Sequence, residues 1–233
     1  MPVSSVTKST YYVGLDVGKV RDPAAIAVME RRAVFTPGPF EPAGPDPGRC
    51  GVTTVTYLIR YLQRLKLLTP YPAVADRVAK ISVQLRTPAS PPNGGYDLAN
   101  VVVDVTGVGR PVFDLLAERG LGAQVVGVNF TGGQNANFSG GGIYNVPKRD
   151  LVANLVLLFQ RKQLLISDKL AEARVLVNEL VNFQEVISAA GNASYGNDGV
   201  NAKNDDYVSA AALCAWRAKL RATRELGVGQ PLL

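Results

Sequence analysis

The sequence has no histidine in 233 residues and only two cysteines, Cys50 and Cys214. The first absence excludes Ser-His-Asp and Cys-His nucleophilic triads and every zinc site that needs imidazole. The two cysteines lie far apart, without the short spacing of a metal knuckle. A reducing compartment is therefore expected, and whether they pair is left open. Charged residues make up 19% and aromatic residues 7%; 25 basic against 19 acidic side chains leave a surplus of +6. That surplus permits a polyanionic partner without requiring one. No apolar run approaches the ~20 residues that cross a bilayer, and the N-terminus lacks the apolar core of a secretory signal, so the cytoplasm is expected. Hydrophobic residues reach 47%, enough for a substantial core. With no internal repeat and no compositional break, residues 1–233 read as a single domain.

What is present is a succession of strand-like and helix-like periods. Residues 11–18 alternate, with Val13, Leu15 and Val17 on one face and Gly14, Asp16 and Gly18 on the other. This predicts a strand whose flanking glycines either leave Asp16 open to a ligand or mark a simple bend. Strands follow over 24–34 and 52–62, the latter alternating Val55, Tyr57, Ile59 and Tyr61, with a Pro/Gly-rich loop at 36–51 between them. Together they predict an antiparallel meander. Val74, Val78, Ile81 and Leu85 have helical spacing and predict a helix over 72–86. Residues 100–106 are a nearly continuous apolar strand, of the kind buried on both faces of a sheet.

A helix at 112–119 and a short parallel strand at 124–128 come next. The Gly-rich stretch 131–145 reads as a loop, either a lid or guide over a substrate or a disordered turn. Pro147 opens a helix on which Leu151, Leu155, Leu158 and Phe159 align, and 168–181 is a helix with Ala173, Val177 and Leu180 on one face. A short hairpin at 183–188 and 193–195 precedes the final helix, which runs to about 224 and leaves 225–233 as a flexible tail.

Four acids stand out. Asp16 and Asp104 each interrupt a valine-rich strand, where a carboxylate is costly unless it binds something. Asp104 lies at the C-terminal end of its strand, where open α/β sheets place ligands; a structural Asp capping the next turn is the plainer alternative. Asp205 and Asp206 open the alanine-rich last helix behind Asn204, a pattern that by itself is a well-made helix start. Gathered together, hard oxygen donors without His or Cys select Mg²⁺ or Mn²⁺. Two such ions would clamp a phosphodiester undergoing in-line displacement and activate the attacking water, so no histidine is needed.

The order of these elements and acids resembles the RNase H-like superfamily and, more narrowly, the C-terminal nuclease domain of the large terminase subunit of tailed bacteriophages. The residues that carry the resemblance are Gly14-Leu15-Asp16, the run from Val103-Asp104-Val105 through Gly107 and Gly109, the helix from Lys148 ahead of Leu164-Leu165-Ile166-Ser167, the segment around Leu176 and Glu179, and Asn204-Asp205-Asp206. Asn204 stands where that family usually has histidine. The resemblance implies an α/β fold with a central mixed sheet of five or more strands flanked by helices. It also implies an endodeoxyribonuclease that cuts concatemeric viral DNA during genome packaging, with two ions, Mg²⁺ or Mn²⁺, held by Asp16, Asp104, Asp205 and Asp206.

The implied partners are double-stranded DNA, a terminase ATPase motor domain, the small terminase subunit and the portal, in the cytoplasm of the infected host. No Gly-x-x-x-x-Gly-Lys-Ser/Thr loop is present, so the chain matches the nuclease part alone. Lys19, Arg110, Lys148, Arg149 and Lys203 are candidate DNA contacts, against the plainer reading of solvated surface charge. Three rival readings are an actin-like nucleotide-binding ATPase, from Gly14 to Gly18 as a phosphate loop, a Holliday-junction resolvase of the same fold, and a nuclease fold retained only as a DNA-binding or assembly module.

Overall fold

The alternating N-terminal segments form an antiparallel ribbon of β1 (Val6–Asp16), β2 (Ala25–Pro37) and β3 (Gly51–Arg64). The computed structural model describes residues 5–18, 22–38, 51–88, 96–121, 125–187, 193–196 and 205–225. Lys19, Lys203, the Asn204 cap position, Cys50, most of the Pro/Gly-rich loop and the tail from 226 lie outside the described residues.

After the ribbon come α1 (Tyr71–Gln84), the two-residue strands β4 (Thr87–Pro88) and β5 (Tyr96–Asp97), and the buried β6 (Asn100–Asp104). Then follow α2 (Arg110–Leu116), a wide π-type turn at Ala117–Leu121, and β7 (Val125–Thr131). The chain continues through β8 (Asn137–Gly140), β9 (Ile143–Pro147), α3 (Lys148–Gln160), β10 (Leu164–Ile166) and α4 (Ala173–Asn182). A hairpin of β11 (Gln184–Ile187) and β12 (Ala193–Gly196) leads to α5 (Asp206–Glu225).

Eight of the strands make one mixed sheet in the order β10-β3-β2-β1-β6-β7-β9-β8. β1, β6, β7 and β9 run parallel, which places the C-terminal ends of β1 and β6 side by side. Alternation divides the core between the two faces of the sheet. Val13, Leu15, Val101 and Val103 pack with α1 and α2 through Val74, Val78, Val112 and Leu116. Tyr12, Ala27, Met29, Val102 and Val128 pack on the other face with Leu151, Leu155, Leu176 and α5.

α5 is buried all round, from Asp206 to Ala218, and its alanines let it lie close on β1. A Cβ on Gly14 would stand 2.0 Å from the Ala210 carbonyl oxygen. Gly18 is needed for the turn beyond β1, where a Cβ would meet the Asp22 carbonyl at 2.0 Å. The two glycines flanking Asp16 therefore serve the packing of the chain on itself, rather than opening the carboxylate to a ligand.

Several expectations need correction. The Gly-rich stretch 131–145 is not a loop throughout: it supplies β8 and most of β9, joined by a turn in which Gly140, Gly141 and Gly142 all have positive φ. β10, not expected as a strand, pairs in parallel with β3 at the sheet edge. On α3 the buried residues are Leu151, Val152 and Leu155, while Phe159 is 59% exposed. α4 starts at Ala173, and its buried stripe is Ala173, Leu176 and Glu179; Val177 faces outward.

β3 also changes parity. Tyr57 and Ile59 face the α5 side, but the register with β2 skips Arg60, and beyond that bulge Leu62 takes the α5 side while Tyr61 packs against the α1 face. Arg64 follows Leu62 by two residues and shares its side.

Candidate active site

Asp16 ends β1 and Asp104 ends β6, with Leu15 paired to Val103 one step earlier. Both carboxylates lie on the face that carries Tyr12 and Val102, the face covered by α5. The N-terminus of α5 brings Asp205 and Asp206 to the same end of the sheet. The four acids thus converge from two strands and one helix. Burial, and then the charges of Asp104, Asp206 and Asp205, push the Asp16 carboxyl well above the usual carboxylate range, and Lys148 opposes them. Asp104 Oδ1 accepts a hydrogen bond from the Thr106 N–H at 2.8 Å, which fixes the strand end and gives substance to the turn-capping reading.

Asp205 and Asp206, equivalent in sequence, have different surroundings. Asp205 is half-buried, and its Oδ2 accepts from Lys148 Nζ at 2.9 Å. Asp206 is buried, and its Oδ2 accepts from Arg64 Nε at 3.2 Å. The guanidinium of Arg64 lies 4.5 Å from the centre of the Tyr207 ring, and its Nη2 donates to Glu179 Oε1. Glu179 Oε2 in turn accepts from the backbone N–H groups of Tyr207 (2.9 Å) and Val208 (3.2 Å). Glu179 therefore satisfies two donors of the helix start. Burial pushes the Glu179 carboxyl up to about 7 and that of Asp206 up to about 6, against the pull of Arg64 on both.

Sequence reasoning missed Arg64 and Glu179 as site residues. A signal existed for Glu179, which continues the stripe Ala173-Leu176 at helical spacing and so puts an acid on a buried face. None existed for Arg64, because its direction depends on the bulge at Arg60.

Of the candidate DNA contacts, Lys148 is placed among the acids, with Phe130 and Phe183 at 6.0 and 5.8 Å. Arg149 is partly exposed, donates to the Gln134 carbonyl at 3.0 Å and pairs with Asp150. Arg110 is exposed and paired with Asp114. Lys19 and Lys203 lie outside the described residues.

Among the described residues no three Asp, Glu, His or Cys side chains are close enough as they stand to hold one metal ion. The donor chemistry nevertheless fits a hard divalent cation. All four acids offer carboxylate oxygens, burial and then the charges of Asp104, Asp206 and Asp205 oppose the ionisation of Asp16, and Asp205 and Asp206 each have only one oxygen on a basic side chain among the described residues.

No protein-family model and no curated protein matches the chain. Among solved structures it is similar to the large terminase nuclease of thermophilic phage G20c, determined with bound magnesium. That match has 20% identity and a TM-score of 0.56 over 90% of this chain and 82% of that one. It is also similar to the large terminase nuclease domain of Thermus phage P74-26, with 20% identity and a TM-score of 0.49 over 88% and 78% of the two chains. The mixed sheet, the helices on its two faces and the overlay on the G20c protein give this chain the α/β fold of that large terminase nuclease.

Proposed function

We propose that the chain is a metal-dependent endodeoxyribonuclease that cuts concatemeric viral DNA during genome packaging, by hydrolysing phosphodiester bonds at a two-ion site. The observation that carries this reading is the convergence of Asp16, Asp104, Asp205 and Asp206 at one end of the sheet, where burial and then the charges of the other three raise the Asp16 carboxyl. A cluster of that kind is costly to keep unless a cation relieves it. Asp16, Asp104 and Asp205 would hold the ions, with Asp206 as an auxiliary ligand, and Mg²⁺ or Mn²⁺ is the cation expected from oxygen donors alone. Such ions, when bound, supply Lewis acidity to the phosphate and to the attacking water.

The remaining work falls to the chain. Lys148 neutralises Asp205 while no ion is present, and Arg110 and Arg149, with Lys19 and Lys203, would meet the DNA backbone, where contacts position without specifying sequence. An ATPase motor domain, a small terminase subunit and the portal are the partners that would choose where cutting occurs, in the cytoplasm of the infected host.

Cleavage of supercoiled plasmid tests the reading. Nicking and linearisation with Mn²⁺ or Mg²⁺, abolished by EDTA and by Asp104→Asn, is the expected result. Plasmid left intact at every metal concentration, with ATP raising the melting temperature, would favour the actin-like nucleotide-binding reading instead.

A further inference from the structure

We infer that Arg64 is the positioning residue of the acid cluster: its guanidinium fork ties Asp206 to Glu179 at the start of α5 and thereby sets the affinity of the cluster for a divalent cation. The inference rests on the metal-nuclease reading above. Arg64 ends β3, two strands away from β1 in the sheet, and reaches the site only because the bulge at Arg60 turns it to the α5 side. Its two donors go to two different acids, Nε to Asp206 and Nη2 to Glu179, both buried. Glu179 is fixed in its own right by the N–H groups of Tyr207 and Val208. The three side chains therefore join β3, α4 and α5 at the point where the acids meet.

The bridge has a directional consequence. It engages Oδ2 of Asp206, and among the described residues Oδ1 of Asp206 accepts no hydrogen bond. Arg64 thus holds one oxygen and leaves the other to a cation. Without Arg64, Glu179 and Asp206 would be two buried acids with no guanidinium between them. Lysine cannot replace the fork, because a single ammonium on a flexible stem does not fix two separate carboxylates in one geometry.

The test uses the full chain and Mn²⁺ alone as probe. The melting temperature is followed against Mn²⁺ concentration for wild type, Arg64→Lys, Arg64→Met and Glu179→Gln, with circular dichroism to confirm folding. Plasmid cleavage is measured over the same concentrations. Both Arg64 variants are expected to raise the Mn²⁺ midpoint about tenfold or more, as loss of a group that orients metal ligands does elsewhere. Glu179→Gln should shift it the same way by less. Cleavage by Arg64→Lys should recover toward wild type at saturating Mn²⁺, because the role assigned to Arg64 is exerted through Asp206 and Glu179.

A merely structural ion pair would lower stability and leave the metal midpoint where it was. Should Arg64→Met fail to fold, Arg64→Lys and Glu179→Gln decide the question. Folded variants with midpoints within about twofold of a wild type that binds metal and cuts DNA would overturn the role of Arg64 alone. A wild type that neither responds to Mn²⁺ nor cuts would overturn the nuclease reading and this inference with it.

Discussion

At the scale of single residues, the acid cluster is a region where the fold works against ionisation. Asp16, Asp206 and Glu179 all have folded-state carboxyl pKa values above their ordinary ones, with burial the first cause in each, and the latter two reach about 6 and about 7. A raised carboxyl favours the protonated form in the folded state, so its contribution to stability is complete below about pH 4 and is lost as pH rises through the folded value. The metal-free protein should therefore melt at progressively lower temperature from pH 5 to pH 8. Glu30 acts in the opposite sense. Burial raises its carboxyl, but hydrogen bonds from Ser9, Arg60 and Arg32 outweigh that and hold it below its ordinary value, so its contribution fades only in acid. Asp16→Asn removes the most crowded charge and should flatten the fall above pH 5 while abolishing cleavage. A gain of about 1 kcal/mol at pH 8 would appear as roughly 2–4 °C in a chain of this size. A metal-free melting temperature that climbs between pH 5 and pH 8, in wild type and mutant alike, would contradict this account of the cluster.

At the scale of elements, the site depends on how closely α5 lies on β1, and Gly14 is the point of closest approach. An added methyl there would meet the backbone oxygen of Ala210 at 2.0 Å and the Cys214 sulfur at 2.9 Å, so the helix itself must move. Gly14→Ala should cost about 3 kcal/mol, the upper part of the usual range for overpacking, in urea unfolding. It should also reduce cleavage more than the unfolded fraction explains, because α5 carries Asp205 and Asp206. Val181→Ala, at a side chain 75% exposed, is the control and should stay within about 0.5 kcal/mol of wild type. Equal losses in the two variants would mean that the contact between α5 and β1 is not what places the acids. The elements that sequence made legible are those whose pattern is their own: the alternation of β1, the apolar run of β6, the helical spacing of α1, and the alanines of α5. Those it obscured owe their form to partners. Among the described residues β8 pairs only with β9, and its Phe138 is 53% exposed, so its composition resembles a loop. The four acids could be read from valine-rich strands and a helix start. The Arg64–Glu179 bridge could not, since a single skipped residue at Arg60 decides which side of the sheet Arg64 meets.

At the scale of the whole molecule, the two cores lie on opposite faces of the sheet, and neither includes the four acids. Every element that carries a cluster acid is held by apolar packing on its own account: β1 through Val13 and Leu15, β6 through Val101 to Val103, and α5 by burial from Tyr207 to Trp216. A divalent ion at the proposed site would therefore have no fold to nucleate, unlike small domains whose core is the metal itself. Removing metal with EDTA should leave the far-ultraviolet circular dichroism spectrum unchanged and unfolding cooperative. Adding Mn²⁺ should raise stability only by mass action, about 2.7 kcal/mol at a hundred times the dissociation constant. The increment should shrink in Asp104→Asn, which lacks one of the proposed ligands but none of the packing. Loss of helical signal in EDTA would mean that α5 is seated by the ion rather than by its alanines, and the order of cause assigned here, packing first and metal second, would have to be reversed.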